Sequence, residues 1–507
     1  MKKITLAFSL IMSIAFCSPS LWAQNTLKDS LSIPLEEKSV TKHVVTIDGK
    51  TINYTATAGA LILRNDQDEP IAFYGYTAYT KDGQSEMDKR PISFSYNGGP
   101  GSSSMWLHMG AMGPKRVVVN DPYDNRPAPY KLEDNQFSIL DVSDVVMIDP
   151  VGTGISKAVG KSANKDFWGV DGDIRSVSGF IKQYINENNR WQSPKYLMGE
   201  SYGTMRSAGV ANYLQENLGI VVNGIVLIST VLDMRTLTFQ QGDDISYILN
   251  LPTYAVSAWY HNKINNKPKD IATFAEEARK FAAGTYATAL MKGSDLSDSE
   301  KESIAVQVAA LTGLSKEYVL KANLRINEPQ FTEELLRNDH LTVGRLDARY
   351  TGINQNLLSE GSSYDPQSSS ISPPYIAAFS DYYYNELKVS KKLTYKTSAY
   401  ASPGFNWDWK HDKNNNSEAV STNTAVDLAE AMSHNPHLKV LAINGYYDLA
   451  TPFFAAEYTF KHMGLEKRIQ DNFTLKYYEA GHMMYIDPAS GKQFKKDIVA
   501  FIKETTK

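Results

Sequence analysis

Residues 199–203 read Gly-Glu-Ser-Tyr-Gly, the pattern G-x-S-x-G that presents a serine hydroxyl for nucleophilic attack. An apolar run at 196–198 precedes the motif, and apolar residues at helical spacing follow it. In this strand–turn–helix setting the flanking glycines avoid side-chain clashes at a sharp turn, and the helix N-terminus favours a developing negative charge. The pattern therefore predicts that Ser201 is a catalytic nucleophile; the alternative is a purely structural turn.

A serine hydroxyl is a poor nucleophile unless a base takes its proton. Residues 443–448 place Asp448 just after an apolar run, and residues 478–483 place His482 just after the next one. The chain order serine, acid, histidine is the order found in α/β-hydrolases. We therefore predict a triad in which His482 takes the proton of Ser201 and Asp448 orients the imidazole. The alternatives are a turn-forming aspartate and an ordinary loop histidine.

A third segment with chemical potential is the glycine-rich stretch at 97–104, which follows an apolar run at 91–96. Such a stretch exposes backbone N–H groups, which an oxyanion-binding loop needs. A flexible turn and a phosphate-binding loop are the alternatives. The stretch lacks the lysine of a P-loop, so its composition argues against phosphate binding.

The elements that must position these residues follow from the hydrophobic pattern. Residues 44–79 alternate apolar and polar side chains between turn signals, which predicts antiparallel strands. Short apolar runs then predict buried strands at 91–96, 145–148, 196–198, 225–228, 440–443 and 473–477. Several of these runs precede helical stripes. Buried strands that alternate with amphipathic helices indicate a mostly parallel sheet covered on both faces.

The alternation of strands and helices breaks across residues 232–432, where helical patterns dominate. We therefore predict an α/β core in two parts, residues 43–231 and 433–507, interrupted by a mainly helical cap insertion. Such an insertion would lie over the carboxyl edge of the sheet, where ligands bind in folds of this class.

The first residues have the pattern of a targeting segment. Two lysines and an uncharged apolar run at 4–16 open the chain, and a short polar stretch ends at Ala23. We predict a signal peptide at 1–23, a loose leader at 24–42, and a periplasmic or secreted protein. The alternative is a membrane anchor, but the apolar run is shorter than the roughly 20 residues that span a bilayer.

Composition limits the other possibilities. The 507 residues are 42% hydrophobic, which allows a large core, and the formal charge of −4 argues against nucleic-acid binding. Cys17 is the sole cysteine, so a processed chain would have no disulfides, thiolate metal sites or cysteine catalysis. We predict no metal or organic cofactor and no stable membrane insertion. The oligomeric state is left open.

Four separated motifs occur in order along the chain. They are Asn-Gly-Gly-Pro-Gly-Ser-Ser at 97–103, Asp-Pro-Val-Gly-Thr-Gly-Ile-Ser at 149–156, the serine motif at 199–203, and Ala-Gly-His-Met at 480–483. This set resembles the serine carboxypeptidases, peptidase family S10 of the α/β-hydrolase superfamily, from about Val44 to the C-terminus. The resemblance implies an α/β-hydrolase fold that releases C-terminal residues from peptides with a free C-terminus, through an acyl-enzyme intermediate and without a cofactor.

The resemblance also implies individual roles. The backbone N–H groups of Gly99 and Tyr202 would form the oxyanion hole. Asn97 and Glu200 would bind the terminal carboxylate of the substrate, with help from the backbone of Gly98. A carboxylate beside Glu200 is repelled unless one of the two acids is protonated, and the shared proton would then make a hydrogen bond. The alternative is that Asn97 and Glu200 only brace the loop and the turn.

The chain departs from the family pattern at several positions. Ala111 stands where a glutamate often precedes a Gly-Pro, so a second acid to support Glu200 is missing, which weakens the case for a strongly acidic optimum and leaves the pH optimum open. The other departures are Ser95 for a tryptophan, Ser102 for a cysteine, and Gly203-Thr204 for an Ala-Gly pair. These changes suggest a bacterial branch of the family.

Two other functions are compatible with these residues. An esterase or acyltransferase could use the same triad with a different acceptor. A non-catalytic binding protein could share the fold, although the intact Ser201, Asp448 and His482 argue against it. The residue preference on either side of the scissile bond is left open.

Overall fold

The computed structural model describes residues 34–119, 126–265, 267–412 and 421–506, and the predicted signal peptide lies outside these ranges. The strands are β1 (Lys38–Ile47), β2 (Lys50–Arg64), β3 (Pro70–Lys81), β4 (Ile92–Tyr96), β5 (Lys115–Val117), β6 (Leu132–Asp134), β7 (Asp144–Ile148), β8 (Lys157–Ala158), β9 (Lys195–Glu200), β10 (Gly224–Ile228), β11 (Leu341–Val343), β12 (Thr351–Ile353), β13 (Lys439–Gly445) and β14 (Phe473–Tyr478).

The helices are α1 (Met105–Leu107), α2 (Val170–Glu187), α3 (Tyr202–Leu218), α4 (Ile245–Tyr260), α5 (Ile271–Phe281), α6 (Ala287–Lys292), α7 (Asp298–Thr312), α8 (Lys316–Lys321), α9 (Glu328–Glu334), α10 (Pro366–Asp381), α11 (Ala425–His434), α12 (Phe453–Lys461), α13 (Lys467–Gln470) and α14 (Pro488–Thr505). Within the described ranges, no helix has the length and apolar character needed to cross a membrane.

The central sheet has ten strands in the order β1-β2-β3-β7-β4-β9-β10-β13-β14, with β8 paired to β3. The six strands from β7 to β14 in this order are parallel to their neighbours, whereas β1, β2 and β3 form an antiparallel meander that joins β7. Every residue of β4, β7, β9 and β10 is buried, as parallel strands covered on both faces require. The predicted α/β-hydrolase fold is confirmed.

Successive strand residues point to opposite faces of the sheet. Because both faces of this sheet carry apolar side chains, helices cover both of them. Met198 of β9 belongs to one buried cluster, together with Ile498 of α14. Its neighbour Leu197 belongs to the other, together with Val177 of α2 and Leu428 of α11. The sheet is therefore fixed between two apolar layers, and only its edges can hold polar chemistry.

Between β10 and β13 the chain leaves the sheet and forms α4 to α9, the hairpin β11–β12 and α10. The helices α4 to α9 have a buried cluster of their own, which also includes Tyr446, Tyr447 and Phe453 from the segment after β13. The insertion therefore packs against the carboxyl edge of the sheet.

Two boundaries differ from the predictions. Strand β1 pairs with β2 along its whole length, from Lys38 opposite Gly59, so the predicted leader at 24–42 overlaps a strand from residue 38 onward. Helix α11 packs against α3, and its Leu428 and Met432 are buried with the core. Its apolar face covers the sheet, so the insertion ends before α11 rather than at residue 432.

Asp144 at the start of β7 connects the ends of neighbouring elements through buried ion pairs. Its Oδ1 accepts a hydrogen bond from Arg90 Nε at 2.7 Å, and its Oδ2 accepts one from Arg190 Nη1 at 2.6 Å. All three side chains are at most 7% exposed. Because both oxygens are occupied by cations, this carboxylate holds two loops at the amino edge of the sheet.

We predict that Asp144→Ala lowers the free energy of unfolding by about 3–5 kcal/mol, because it leaves two buried arginines without a counter-charge. Denaturant titration measures the change. Glu86→Ala is the control: Glu86 pairs with Lys89 on the surface, where both side chains are more than 60% exposed, and its loss should cost less than about 1 kcal/mol. Similar small losses in both variants would contradict the prediction.

Candidate active site

Ser201 stands on the turn between β9 and α3, as the motif predicted. Its backbone has φ 60° and ψ −129°, a conformation that non-glycine residues rarely adopt. The turn is tied to the neighbouring strand, since Ser201 N–H donates to the Ile228 carbonyl of β10 at 2.9 Å. A Cβ at Gly199 would lie 2.0 Å from the Gly203 carbonyl oxygen, so the first glycine of the motif is a steric requirement.

Asp448 and His482 meet beyond the ends of β13 and β14. His482 Nδ1 lies 2.8 Å from Asp448 Oδ2, and neither side chain is more than 6% exposed. Asp448 Oδ1 accepts hydrogen bonds from the backbone N–H groups of Ala450 and Thr451, both at 2.9 Å, and Oδ2 accepts one from the Thr451 hydroxyl at 2.6 Å. The carboxylate is therefore fixed in orientation before it contacts the imidazole.

The charge of Asp448 sets the protonation of His482. Burial lowers the pKa of His482, but the charge and hydrogen bond of Asp448 together with the charge of Glu200 raise it by more. The net pKa lies above the ordinary histidine value. Because Nδ1 is committed to Asp448, Nε2 is the nitrogen that remains for proton transfer.

A cavity of about 300 Å³ brings the predicted residues together. Seven of the eight line it, and the eighth, Asp448, lies behind His482. The seven are Asn97, Gly98, Gly99, Glu200, Ser201, Tyr202 and His482. The geometry thus joins residues from four strand ends in one concave site.

The glycine-rich loop packs directly on the serine turn. A Cβ at Gly98 would lie 2.4 Å from the backbone nitrogen of Tyr202 and 2.6 Å from that of Gly203. Gly99 has φ +104°, a conformation that side chains disfavour. The loop can therefore approach the first amides of α3 only because these positions lack side chains.

Asn97 and Glu200 form a buried pair at the cavity wall. Asn97 Nδ2 donates to Glu200 Oε1 at 2.8 Å, while Asn97 Oδ1 accepts from Leu107 N–H at 3.0 Å, so the amide orientation is defined. The side chains are 2% and 4% exposed. The other oxygen of Glu200, Oε2, accepts no hydrogen bond from any described residue.

Burial gives Glu200 an unusual protonation equilibrium. It raises the pKa of Glu200 to about 7, although the positive charge of His482, the hydroxyl of Tyr485 and the amide of Asn97 act in the opposite direction. Tyr485 lies close to Glu200 but makes no hydrogen bond of ordinary geometry with Oε2. The pKa is raised without the family's second acid.

Sequence reasoning missed the groups that support this pair. Arg206 of α3 is fully buried; its Nη1 donates to the Asn97 carbonyl at 2.6 Å and its Nε to Asp173 Oδ2 at 2.7 Å. The available signal was a charged residue five positions after Ser201, among the small side chains at the start of the helix. Next to Ala111, a Cβ at Gly110 would lie 2.3 Å from the Tyr485 ring, so this ring fills the adjoining space.

The rest of the cavity wall comes largely from the insertion and its flanking segments. It is mostly apolar or aromatic, with Arg345 as the one lysine or arginine among the described lining residues. These residues are Ser102, Trp106, Val231, Met234, Leu237, Arg345, Leu346, Ser368, Ile371, Ser372, Tyr400, Trp409, Ala450, Thr451 and Met483. No group of three or more His, Cys, Asp or Glu side chains in the described ranges could hold a metal ion.

Comparison with known proteins places this geometry in context. The model of the serine carboxypeptidase family, Peptidase S10, matches residues 49–503. The crystal structure of Kex1(delta)p, a prohormone-processing carboxypeptidase from Saccharomyces cerevisiae, matches with a TM-score of 0.53 and 16% identity over 89% of this chain and 91% of that one. A proline iminopeptidase from Mycobacterium smegmatis matches with a TM-score of 0.35 and 13% identity over 92% and 99%. No curated protein matches the sequence.

We predict that Gly98→Ala lowers activity on any acyl substrate by at least about 10²-fold, because the new methyl group separates the glycine-rich loop from the serine turn. Steady-state kinetics and the rate of fluorophosphonate labelling measure the effect. Gly284→Ala is the matched control, since a Cβ there meets no atom within 4 Å. Equal activity in the two variants would show that the close approach at Gly98 is not needed.

Proposed function

The chain belongs to the serine carboxypeptidase family, and we propose that Ser201, His482 and Asp448 are the residues with which it cleaves peptides. The observation that carries this proposal is the buried His482–Asp448 contact at 2.8 Å, beside a cavity that both His482 and the strained Ser201 line. A base oriented by a fixed carboxylate, beside a serine on a sharp turn, is the arrangement that activates a hydroxyl.

In the proposed reaction, Ser201 Oγ attacks the carbonyl carbon of the last peptide bond while His482 Nε2 takes the hydroxyl proton. The imidazolium then gives this proton to the leaving nitrogen, the peptide bond breaks, and the C-terminal residue departs as an amine. Water, activated by the same imidazole, hydrolyses the acyl ester and restores Ser201. Asp448 stabilises the imidazolium throughout because its charge faces Nδ1.

The negative charge that develops on the carbonyl oxygen needs preorganised donors. We propose the backbone N–H groups of Gly99 and Tyr202 for this role. Tyr202 is the first residue of α3, where the helix dipole also favours an anion, and the glycine-rich loop packs against it.

We propose that Glu200 recognises the free C-terminus as a carboxylic acid. Its pKa of about 7 makes the proton available near neutrality, and a substrate carboxylate at short range raises the pKa further. The proton can then be donated from Oε2, the oxygen without a partner, while Asn97 holds Oε1 and the backbone of Gly98 lies beside them. This pair favours a carboxypeptidase over an esterase or acyltransferase with the same triad.

The site of action is also a proposal. Two lysines, the apolar run at 4–16 and the small residue Ala23 support a signal peptide that would direct the chain to the periplasm or the medium. The departures from the family pattern, Ala111 and Ser102 among them, support a bacterial branch.

We predict that Ser201→Ala reduces turnover of peptides and esters by at least about 10⁴-fold, because it removes the hydroxyl that would attack the carbonyl carbon. Labelling with a fluorophosphonate should mark the wild-type protein and fail in the variant, while circular dichroism shows an unchanged fold. Ser372→Ala, at another serine of the cavity wall, should keep both turnover and labelling. Labelling or turnover in the Ser201 variant would refute the assignment and favour a binding protein or a different nucleophile.

We predict that KM for a blocked dipeptide with a free C-terminus rises as the pH increases through about 7, because Glu200 then loses the proton that binds the carboxylate. KM for the matching ester without a carboxylate should not follow this change. In Glu200→Gln the amide imitates the protonated acid at every pH, so the rise in KM should vanish. Kinetics of both substrates between about pH 5 and pH 9 measure the effect.

Replacement of both Asn97 and Glu200 by alanine should reduce peptide hydrolysis more than ester hydrolysis. Equal losses on the two substrates, or a peptide KM that does not depend on pH in the wild type, would exclude carboxylate recognition by this pair while leaving the triad in place.

A further inference from the structure

The tip of the hairpin β11–β12 reaches from the insertion to the active site. Val343 and Thr351 are the last paired residues of the two strands, and Gly344 N–H donates to the Tyr350 carbonyl at 2.8 Å, which closes residues 344–350 into a loop. We call residues 344–350 the hairpin tip. The sequence pattern did not single it out.

The hairpin tip holds the backbone of the histidine loop. His482 N–H donates to the Leu346 carbonyl at 2.7 Å, and the preceding N–H, of Gly481, donates to Asp347 Oδ2 at 3.1 Å. A Cβ at Gly481 would lie 2.4 Å from Cβ of Asp347, so the two segments touch as closely as a glycine allows. The amide side of the histidine loop is therefore bound by the insertion.

The same tip also holds the acid loop. Ala348 N–H donates to the Tyr447 carbonyl at 2.9 Å, and Leu449 N–H donates to the Arg345 carbonyl at 3.0 Å. These two bonds flank Asp448 on either side in the chain. The backbone around the acid and the backbone of the histidine are consequently bonded to one seven-residue loop.

Asp347 and Arg349 stiffen the hairpin tip against these loops. Arg349 binds both carboxylate oxygens of Asp347 through Nε and Nη2, at 2.7–3.2 Å, and its Nη1 donates to the Glu479 carbonyl at 2.8 Å. The guanidinium also lies 5.5 Å from the ring centre of Tyr447. Asp347 is 2% exposed and Arg349 is 16% exposed, so water competes little for this pair.

The core of the sheet binds the histidine loop from the side away from the hairpin tip. Ser229 Oγ donates to the His482 carbonyl at 2.6 Å, and Tyr447 N–H donates to the Ala480 carbonyl at 3.0 Å. At the histidine itself the core thus binds the carbonyl groups of Ala480 and His482, while the hairpin tip binds the amides of Gly481 and His482. Loss of one side leaves the loop free to shift relative to Asp448.

We propose that Asp347 and Arg349 are positioning residues that hold His482 against Asp448, so that the insertion completes the catalytic machinery as well as covering it. This inference rests on the proposed function, in which His482 is the base. A shift of about 1 Å in such a group can cost about 10²-fold in rate, so the effect of the pair should appear in kcat.

The first experiment compares Asp347→Ala with the wild type on a blocked dipeptide. We expect kcat to fall by about 10- to 100-fold, with a parallel fall in the rate of fluorophosphonate labelling and a KM within about 3-fold of the wild type. A looser His482–Asp448 contact should also move the acidic limb of the pH profile of kcat to lower pH, because Asp448 raises the pKa of His482 and the base must be neutral.

The charged groups that face His482 are Asp448 and Glu200, which raise its pKa, and Arg345 of the hairpin tip, which lowers it. The effect of Arg345 is the smallest of the three. Displacement of the tip weakens the effect of Asp448 and of Arg345 together. The larger effect of Asp448 decides the sign, so the acidic limb moves to lower pH.

Asp244→Ala is the matched control. Asp244 forms a bidentate pair with Arg325 in the same insertion, at 2.6 and 2.8 Å, so its carboxylate is bound within the insertion and not to the histidine or acid loop. This variant should lose stability without a change in kcat or in the pH profile of the folded protein. If Asp347→Ala does not fold, the series Arg349→Lys and Arg349→Ala decides, with kcat expected to fall in the order wild type, lysine, alanine.

Two outcomes would overturn the inference. One is an Asp347 or Arg349 variant whose folded fraction keeps the wild-type kcat and acidic limb. The other is an Asp244 variant that reproduces the same loss of kcat. Failure of the proposed function itself is distinguishable, because it would appear as turnover in Ser201→Ala whatever the Asp347 variants do.

Discussion

The strained backbone of Ser201 is the constraint on which the rest of the active site depends. A non-glycine residue at φ 60° and ψ −129° costs about 1–3 kcal/mol, and it persists because buried elements fix the chain on both sides. Strand β9 is held between β4 and β10, and residues 202–212 of α3 are all buried. The abrupt reversal places the hydroxyl at the sheet edge and the first amides of α3 beside it. Gly98 and Gly199 then follow as steric necessities.

Glu200 shows how burial without an arginine or lysine partner produces a group that can change its protonation near neutrality. Asp173, equally buried, is paired with the guanidinium of Arg206 and supports the loop that carries Asn97. Glu200 instead faces the amide of Asn97, and burial raises its pKa to about 7. Ala111 removes an acid that the family often has, yet the pKa is still raised because desolvation does not require a second charge. The specificity that we propose therefore depends on the exclusion of water from Glu200 more than on a second acid beside it.

The strands and the chemistry at their ends could be predicted because both have local signals. The six apolar runs became strands, and the residues after four of them meet in one cavity, as the topology of parallel strands requires. Asp448 and His482 were found by their position after strands, although the two turns alone are common in proteins. The predicted end of the insertion, at residue 432, included helix α11, although this helix packs on the core. The apolar stripe of a helix does not indicate which surface the helix will cover.

The cavity wall and the supports of the triad had no such signal. Trp409 and Ile371 line the site from segments far apart in the chain, and their partners follow from the way the insertion folds on itself. Arg206 is close to Ser201 in the chain, yet the group that it supports, the carbonyl of Asn97, is more than a hundred residues away. Asp347 reaches the histidine loop across a similar separation. Long-range polar contacts of this kind depend on tertiary geometry, which no local pattern encodes.

The hairpin tip both lines the cavity and binds the backbone of the histidine loop. Arg345 and Leu346 line the cavity, and the carbonyl groups of the same two residues accept hydrogen bonds from Leu449 and His482. Side chains that line the cavity and a backbone that binds the residue proposed as the base are thus parts of one short loop. Because packed segments move as units rather than atom by atom, a change in the insertion that alters the cavity also alters the placement of the base. In the mechanism that we propose, substrate preference and catalytic rate would therefore be coupled through neighbouring residues of one loop.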